Sequence, residues 1–586
     1  MSGRGYDTRV IAGNDTGFEE ADCVSCGQCA FECPVAALEE PGTRDHGLPD
    51  DIVTTTCSYC GVGCSLDVHV KDGETIRITP SKEGSANLGH TCVKGRFAHQ
   101  FAHSDDRLRT PLIKENGEFR EASWDEAFDL VSSKLGGIVR EHGPDAAAMI
   151  SSSRCTNEEN YLMQKFARVA LGTNSIDNCS RVCHSPSAYA LGQALGTGAG
   201  TNSFQDVFHS DVLMIVGANP TEAHPVFGAR IKQAVLSGAK LIVLDPRNTE
   251  LARLADVHIP LRPGSNVAVI NALQHVLLER GHVDTDFIAR CAEGLDEVEN
   301  TVAACTPEWA AEIAHVDAQL IRDAATVYAA GSACQILWGL GVTEAGHGSN
   351  AVFGLINMAV MTGNIGRPGA GTCPIRGQNN VQGASDVGAL PNVFSDYRPV
   401  TDPDARAEHA VTWGVEPPDN VGLRIPDMFD AAHAGTLKAM YILAEDVAQS
   451  DPDTTHVVGA LEKLDFLVVQ EIFMNPTAEL ADVVLPGTTF LEKDGTFVNS
   501  DRRIQRVRAA MHPLEGTRID GEITHEIARR MDVDLGFADA EGRVDPSKVM
   551  DELASLSPMW RGVSYERIEE EGFLQWPCVD ADDPGT

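Results

Sequence analysis

Residues 57–64 read Cys57-Ser-Tyr-Cys60-Gly-Val-Gly-Cys64, and Cys92 follows after 27 further residues. Three thiols in one short loop plus a remote fourth are typical of the ligands of a 4Fe-4S cluster, and the glycines let the backbone fold closely around the inorganic sulfurs. A structural zinc ion and four unconnected buried cysteines are the alternatives. The pattern predicts a small iron-sulfur domain built around these four cysteines.

A second group of cysteines lies nearer the N-terminus, in the stretch Cys23-Val-Ser-Cys26-Gly-Gln-Cys29-Ala-Phe-Glu-Cys33-Pro. This is the bacterial ferredoxin spacing, in which the last cysteine normally binds a different cluster from the first three. No other cysteine precedes Cys23. Another subunit completes this half-ferredoxin, or Met1 is not the true start, or the four thiolates share one cluster. We favour a missing upstream half, and the motif predicts a second 4Fe-4S cluster at the N-terminus.

The composition excludes several classes of function. A chain of 586 residues exceeds what one hydrophobic core supports, so several domains are expected. Its 85 acidic and 46 basic residues give a formal net charge of -39, which repels nucleic acid and anionic membranes. No apolar run is long enough to span a bilayer, and residues 1–15 carry no secretory or twin-arginine pattern, so a cytoplasmic location is predicted. Acidity spread along the whole chain is typical of a halophilic protein; an acidic interaction surface is the alternative.

The apolar pattern predicts an α/β architecture after a small β domain. Apolar residues alternate on either side of Asp72-Gly73, which indicates a β-hairpin within residues 51–80. After residue 105, helical stretches such as 124–139 separate short apolar runs that suit strands of a parallel sheet. These runs are 147–150, 212–216, 241–244, 336–338 and 440–443. Most lead into polar loops of the kind that bind ligands at the carboxyl ends of strands. The segment after about residue 500 reads as polar and irregular.

Two segments far apart in the sequence carry candidate catalytic residues. Cys183 and His184 are adjacent, although such a pair taken alone reads as a packed thiol beside an ordinary histidine. Residues 375–383, Ile-Arg-Gly-Gln-Asn-Asn-Val-Gln-Gly, combine glycines and carboxamides with one cation, Arg376. This composition suits a polar ligand and a small anion; a long polar surface loop is the alternative.

Taken together, these segments resemble the molybdopterin oxidoreductases, and most closely the large subunits of cytoplasmic formate dehydrogenases. The motifs that carry the resemblance, in order, are CSYCGVGC (57–64), CVKGR (92–96), SRVCHSPS (180–187), VGANPTEAHP (216–225), LDPRNTELARLADVHIPLRPGSN (244–266), MTGNIGRPGAG (361–371), PIRGQNNVQGA (374–384), ELADVVLPGTTFLEKDGTFVNSDRRIQ (479–505) and LQWPC (574–578). The resemblance runs from about residue 52 to the C-terminus.

The resemblance implies roles for the residues that match these motifs. Cys183 is expected to bind the molybdenum or tungsten of a bis-molybdopterin guanine dinucleotide cofactor, with His184 handling the proton and Arg376 holding formate. Lys94 is expected between a pterin and the iron-sulfur cluster. The expected cofactor-binding residues are Gly217, Asn219, Asp245, Arg247, Gly264, Asn266 and Gln378. Asp245 could instead be a helix cap, because Asp is favoured at helix starts.

The resemblance also implies the domain organisation. It predicts a small N-terminal β/iron-sulfur domain and two Rossmann-like parallel-sheet domains. The expected segments are 1–50 as a partial ferredoxin, 51–105 as the iron-sulfur domain, 106–178 with 379–490 as the first pterin domain, 179–378 as the second, and 491–586 as a tail packing on the iron-sulfur domain. Relatives continue after a segment like 574–578 into a β-barrel that covers both pterins. We expect that barrel to be missing here, so that the chain alone is inactive or needs a separately encoded C-terminal domain.

The implied activity is oxidation of formate to carbon dioxide, with electrons passed to iron-sulfur clusters. No nicotinamide or flavin site is apparent, so an iron-sulfur or diaphorase-type electron-transfer subunit is the expected partner. One alternative is a nitrate or other oxyanion reductase of the same fold, which typically lacks the counterparts of His184 and Arg376. The other is a non-catalytic electron-transfer subunit like the large iron-sulfur subunit of respiratory complex I.

Overall fold

The computed structural model describes residues 4–7, 11, 21, 23–40 and 46–585. The strands of this part of the chain form four sheets. The strands are β1 (Asp51–Thr56), β2 (Ser65–Lys71), β3 (Glu74–Pro80), β4 (Leu112–Glu115), β5 (Glu118–Glu121), β6 (Ala147–Ser151), β7 (Ile176–Asn178), β8 (Val212–Val216), β9 (Lys240–Leu244), β10 (Val257–Ile259), β11 (Cys334–Trp338), β12 (Gly371–Pro374), β13 (Ala439–Leu443), β14 (Phe466–Glu471), β15 (Val483–Pro486), β16 (Gly495–Val498), β17 (Arg503–Val507) and β18 (Leu574–Gln575).

Helices cover both faces of the two larger sheets. They are α1 (Gln28–Phe31), α2 (Val93–Phe97), α3 (Trp124–His142), α4 (Asn157–Phe166), α5 (Ser180–Cys183), α6 (Ser185–Leu195), α7 (Pro220–Ala223), α8 (Pro225–Leu236), α9 (Glu250–Leu254), α10 (Asn266–Glu279), α11 (Thr285–Cys291), α12 (Leu295–Val302), α13 (Pro307–Ala314), α14 (Ala318–Ala330), α15 (Leu340–Thr343), α16 (Gly348–Met361), α17 (Val381–Asp386), α18 (Pro403–Trp413), α19 (Ile425–His433), α20 (Val447–Ser450), α21 (Thr454–Leu461), α22 (Pro476–Leu480), α23 (Asp520–Arg530), α24 (Pro546–Leu556) and α25 (Tyr565–Glu571). No helix within the described part of the chain is long and apolar enough to cross a membrane.

The small β domain is an antiparallel meander, β1-β2-β3. Residues alternate between buried and partly buried along β2, because one face of the sheet packs on the core and the other faces outward. Asp72 and Gly73 both have positive φ, as the two-residue turn of a tight hairpin requires. The predicted hairpin therefore lies where the sequence pattern put it.

Two parallel sheets form the body of the protein. One has the order β10-β9-β8-β11-β12 and is parallel throughout. The other has the order β5-β4-β15-β14-β13-β6-β7, with β4 and β5 as an antiparallel edge. The strands β6, β8, β11 and β13 are buried along their whole length, which explains their continuous apolar runs. The prediction of an α/β fold with two parallel-sheet domains is confirmed.

The chain passes between the two parallel sheets twice. It leaves the seven-stranded sheet after β7, builds the five-stranded sheet, and returns after β12 to form β13. Cys183 ends α5, shortly after the first crossing begins, and Arg376 follows β12 at the start of the second crossing. Residues almost two hundred positions apart are thus brought to the junction of the two sheets by topology alone.

The expectation of an irregular tail was wrong. β16, β17 and β18 form an antiparallel sheet, and α23, α24 and α25 follow in the same segment. The strand β17 is joined to the iron-sulfur domain, since the Arg508 N-H donates to Thr55 Oγ1 at 2.9 Å. The helices α23 and α24 pack on α3 and α4 of the seven-stranded domain. Pattern reading missed this order because the helices have strongly polar outer faces.

Arg107, which follows the iron-sulfur domain directly, ties that domain to the loop after β15. Arg107 and Glu492 are both fully buried and lie 2.9 Å apart. Arg107 also donates to the Ala102 and Gly487 carbonyls, at 3.0 and 3.2 Å. One guanidinium therefore links the end of the small domain to the strand-loop unit that follows β15.

Replacing Arg107 with Met should lower the free energy of unfolding by about 3–5 kcal/mol, because the buried Glu492 carboxylate loses its cation and keeps only the Thr489 and Leu514 N-H groups as donors. Thermal unfolding followed by circular dichroism measures the effect.

The control is Arg120→Met, which breaks a pair of exposed contacts to Glu115 and Glu126 and should leave the midpoint nearly unchanged. Equal shifts in the two variants would show that the buried pair does not tie the iron-sulfur domain to the loop after β15.

Candidate active site

The four predicted cluster ligands face one another in the small β domain. The Cys57 N-H donates to the Cys64 carbonyl at 2.8 Å and so closes the loop between β1 and β2. Burial raises the pKa of Cys64 well above its usual value, and the charges of Cys57, Cys60 and Cys92 raise it further. Among the described residues, no three His, Cys, Asp or Glu side chains meet closely enough to hold one metal ion. The charges of these cysteines act on one another's pKa, so the four thiols lie near one another, as the ligands of one 4Fe-4S cluster must.

The cluster loop touches the segment that carries Arg376. The Gly61 N-H donates to the Gly377 carbonyl at 2.9 Å, and the Asn379 side-chain amide donates to the Cys57 carbonyl. A methyl group on Gly61 would stand 2.4 Å from the Arg376 carbonyl oxygen and 2.2 Å from Ser500 Oγ. Glycine at position 61 therefore sets how closely the two segments approach.

Cys183 lies buried at the end of α5, where its carbonyl accepts a hydrogen bond of 2.6 Å from Thr343 Oγ1. Burial, together with the charge of Glu344, raises the pKa of its thiol to about 12, although Arg376 opposes this rise. At neutral pH the free thiol would stay protonated. A bound metal cation would remove that proton and stabilise the thiolate, which suits a metal ligand.

His184 and Arg376 converge on the same region. Burial and then the charge of Arg376 hold the pKa of His184 well below its usual value, so the imidazole is neutral at pH 7. Its Nδ1 lies 3.0 Å from Ser187 Oγ, while Nε2 makes no hydrogen bond, although the Ile375 backbone lies close enough to favour the charged ring slightly. Arg376 is buried, and its Nη2 donates to the Gly198 carbonyl at 2.6 Å. Its Nε and Nη1 have no partner among the described residues.

A cavity of about 520 Å³, cavity A, opens at the carboxyl ends of the five-stranded sheet. Among its lining residues are six that the sequence analysis singled out: Gly217, Asn219, Asp245, Arg247, Gly264 and Asn266. Asp245 accepts a hydrogen bond from the Arg247 N-H at 2.8 Å, whereas the N-cap of α9 is Thr249. The helix-cap alternative for Asp245 was therefore wrong.

A second cavity of about 720 Å³, cavity B, opens at the carboxyl ends of the seven-stranded sheet. Of its lining residues, only Gln378 was expected to bind the cofactor, although Lys493 lies in the motif 479–505. The charged lining residues that the sequence analysis did not assign to the cofactor are Arg154, Glu445, Asp446, Glu471, Lys493 and Asp520. Arg154 and Glu445 follow β6 and β13 directly, so the loop rule that located cavity A could have found them. Lys493 and Asp520 carried no such signal, because β15 had not been predicted.

Cys183 lies close to residues of both cavities, although it lines neither of them. Glu344 lines cavity A, Glu445 lines cavity B, and the charge of each raises the pKa of the Cys183 thiol. The neighbouring residues Gly377 and Gln378 line cavity A and cavity B respectively. The thiol and Arg376 therefore lie where a ligand with two arms would have its centre.

Lys94 lies within electrostatic range of Cys60 and His224. It belongs to α2, which begins directly after Cys92, and its side chain is exposed. Burial raises the pKa of the Cys60 thiol to about 11, and the charge of Lys94 opposes part of that rise. Burial lowers the pKa of His224, and the charge of Lys94 contributes to this fall. His224 in turn contacts the Arg376 carbonyl at 2.6 Å. Lys94 is thus positioned to act on both the cluster and the junction.

The N-terminal cysteines lie outside this junction. Cys23 and Cys29 are exposed, and Cys26 and Cys33 are partly buried. Backbone N-H groups of the following turn, those of Leu38 and Val35 most strongly, lower the pKa of the Cys33 thiol. The segment is tied to the iron-sulfur domain by Phe31, whose ring lies 5.3 Å from the Arg96 guanidinium.

Comparison with known proteins identifies the family. Residues 107–530 match the molybdopterin oxidoreductase family, and residues 50–104 match the molybdopterin oxidoreductase Fe4S4 domain. The chain belongs to the molybdopterin oxidoreductases.

Similar proteins agree with this assignment. The chain is 45% identical to F420-dependent formate dehydrogenase 1 subunit alpha of Methanococcus maripaludis, over 92% of this chain and 78% of that protein. It is 41% identical to formate dehydrogenase H of Escherichia coli, over 91% of this chain and 74% of that protein. The structure of acetylene hydratase from Pelobacter acetylenicus superposes with a TM-score of 0.71 at 22% identity, covering 89% of this chain and 74% of that one, and so shares the fold.

Gly61→Ala should push the cluster loop away from Arg376 and lower the free energy of unfolding by about 1–3 kcal/mol, the usual result of adding a methyl group to a packed site. We expect a lower iron content per chain and a weaker electron paramagnetic resonance signal from the reduced cluster. Gly137→Ala on α3 is the control, because a methyl group there meets nothing within 4 Å. Full iron content in Gly61→Ala would contradict the close contact.

Proposed function

We propose that this chain oxidises formate to carbon dioxide at a molybdenum or tungsten centre and passes the electrons to a 4Fe-4S cluster. The observation that carries the proposal is the meeting of Cys183, His184 and Arg376 between two cavities, next to the cluster loop. The named relatives, two of which are formate dehydrogenases, support the same activity.

The residues present fit a bis-molybdopterin guanine dinucleotide. Cavities A and B would each take one arm, and the unpartnered buried amide nitrogen of Asn219 is a donor available to the arm in cavity A. Cys183 would bind the metal as a thiolate. When bound, the metal centre supplies the two-electron acceptor that the chain itself lacks.

Three side chains would bind the substrate, handle the proton and favour electron transfer. Arg376 has two unpaired donors in a buried place, which suits bidentate binding of a carboxylate. His184 is neutral, and its Nε2 has no hydrogen-bond partner among the described residues, so it can relay the proton that formate oxidation releases. The low pKa of His184 means that it passes the proton on rather than keeping it. Lys94 would favour electron transfer towards the cluster by placing a positive charge beside its ligands.

Further parts of the proposal rest on the sequence. A second 4Fe-4S cluster at Cys23, Cys26, Cys29 and Cys33 would continue the electron path to an iron-sulfur or diaphorase-type subunit. A cytoplasmic location and adaptation to high salt fit the net charge of -39.

Cys183→Ala should lower formate-dependent dye reduction by more than about 100-fold, because even losing a residue behind a metal ligand costs about 10- to 100-fold. Cys305→Ala is the matched control, because it removes a buried thiol that contacts the Thr301 carbonyl and is not influenced by Arg376 or Glu344.

The assay should run on the native complex with formate and nitrate in parallel, alongside metal analysis. Turnover of nitrate but not formate would favour an oxyanion reductase of the same fold. Iron without molybdenum or tungsten would favour a non-catalytic electron-transfer subunit.

A further inference from the structure

A buried carboxyl and phenol lie behind Arg376, on the second crossing between the sheets. Asp386 ends α17 and is 2% exposed. Its Oδ1 accepts hydrogen bonds from Gln382 Nε2 at 2.6 Å and from the Tyr397 hydroxyl at 2.8 Å. Its Oδ2 has no partner among the described residues. The carboxyl is thus held firmly by one oxygen, while the other is free.

Gly198 links this pair to Arg376. Its carbonyl accepts the hydrogen bond from Arg376 Nη2, and a methyl group on its α-carbon would stand 3.1 Å from the Tyr397 ring and 3.3 Å from the hydroxyl. The guanidinium and the phenol therefore contact the same residue. A shift of Tyr397 would be transmitted to the backbone that orients Arg376.

The backbone that delivers Tyr397 is strained. Asp396 and Tyr397 have φ values of 65° and 58°, in the left-handed region that non-glycine residues rarely occupy. Two hydrogen bonds hold this turn. The Met559 N-H donates to Asp396 Oδ2 at 3.0 Å, and the Phe394 N-H donates to the Arg398 carbonyl at 2.7 Å. Conformations of this kind persist where the surrounding structure enforces them, and they are common beside functional sites.

The pKa of Asp386 depends in part on the charge of Arg376, the residue proposed to bind the substrate anion. Burial raises the pKa of Asp386 to about 7, while Tyr397, Gln382 and Arg376 oppose the rise and Asp396 adds to it. Burial lowers the pKa of Arg502, which lies in the loop before β17, and the charge of Asp386 is one of those that oppose this fall. Near neutral pH this carboxyl is therefore divided between its neutral and its ionised form, within electrostatic range of Arg376.

We propose that Asp386 and Tyr397 form a positioning pair that acts through Arg376 and sets its affinity for a small carboxylate. Ionised Asp386 offsets part of the positive charge that the substrate meets, and protonated Asp386 leaves that charge uncompensated. The Tyr397 hydroxyl tunes the balance by donating to the ionised form. This inference rests on the proposed function, in which Arg376 anchors formate.

The test measures KM and kcat for formate from pH 6 to 9 on the native complex, with dye as acceptor. In the unaltered enzyme, KM should rise as the pH passes 7, because Asp386 becomes ionised. Asp386→Asn should lower KM at pH 8 by roughly threefold to tenfold and remove the rise, since a like charge near the anion is gone. Tyr397→Phe should move the rise in KM to higher pH. The ionised Asp386 carboxylate loses a hydrogen-bond donor, so its pKa rises.

A second buried phenol-carboxyl pair provides the controls. The Tyr161 hydroxyl donates to Glu552 Oε1 at 2.8 Å, and neither residue lines cavity A or cavity B. Tyr161→Phe and Glu552→Gln should lower the unfolding temperature without moving the KM profile. Iron and molybdenum or tungsten contents, measured for every variant, show which variants assemble.

Two results would overturn the inference. One is an unchanged or raised KM in fully loaded Asp386→Asn. The other is a dependence of KM on pH in Tyr397→Phe that matches the unaltered enzyme. This second result decides the question if Asp386→Asn does not assemble. Absence of formate turnover in the unaltered, fully loaded complex would instead refute the proposed function.

Discussion

The candidate site depends on how closely the cluster loop approaches the segment that carries Arg376. The Gly61-Gly377 hydrogen bond, 2.9 Å long, joins an antiparallel domain to the crossing between two parallel sheets. Only a residue without a side chain fits, because the Arg376 carbonyl and Ser500 Oγ already occupy the space that a Cβ would need. The separation between the cluster loop and the Arg376 segment is therefore fixed by backbone packing, which side-chain motion cannot loosen.

Burial decides the protonation states at the junction. A low local dielectric penalises charge, so the Cys183 thiol and the His184 imidazole are both neutral in the protein alone. Arg376 differs from these two residues, because its guanidinium is buried while its Nε and Nη1 have no hydrogen-bond partner among the described residues. Such an arrangement is costly for a chain without ligands, and it becomes favourable once an anion occupies the space. The site is organised for binding partners that the polypeptide does not contain.

Part of this organisation could be read from the sequence. The motif around Cys57 is local, so its spacing reveals chemistry before any fold is known, and the apolar runs of β8 and β13 identify buried parallel strands. The role of Cys183, in contrast, is implied only by the family resemblance. The strands β14 and β15 were not predicted, because nothing in the flanking sequence distinguished them from a buried helix. The part of cavity B that follows β15 was missed for the same reason, whereas the part that follows β6 and β13 lay within reach of the loop rule. The pair of Asp386 and Tyr397 could not be predicted, because it depends on a strained turn whose φ values are imposed by contacts with Met559 and Arg398.

The strongly acidic surface and the cationic junction must work together if the substrate is an anion. At low salt, a net charge of -39 would repel formate over tens of ångströms, whereas at molar salt the screening length falls to about 3 Å and the repulsion vanishes beyond contact distance. Arg376 is buried, so solvent ions screen its attraction much less. High salt would therefore remove the long-range barrier and preserve the short-range anchor. An acidic formate-binding protein is for this reason physically consistent in a salty cytoplasm, although the same surface would slow substrate capture in a dilute one.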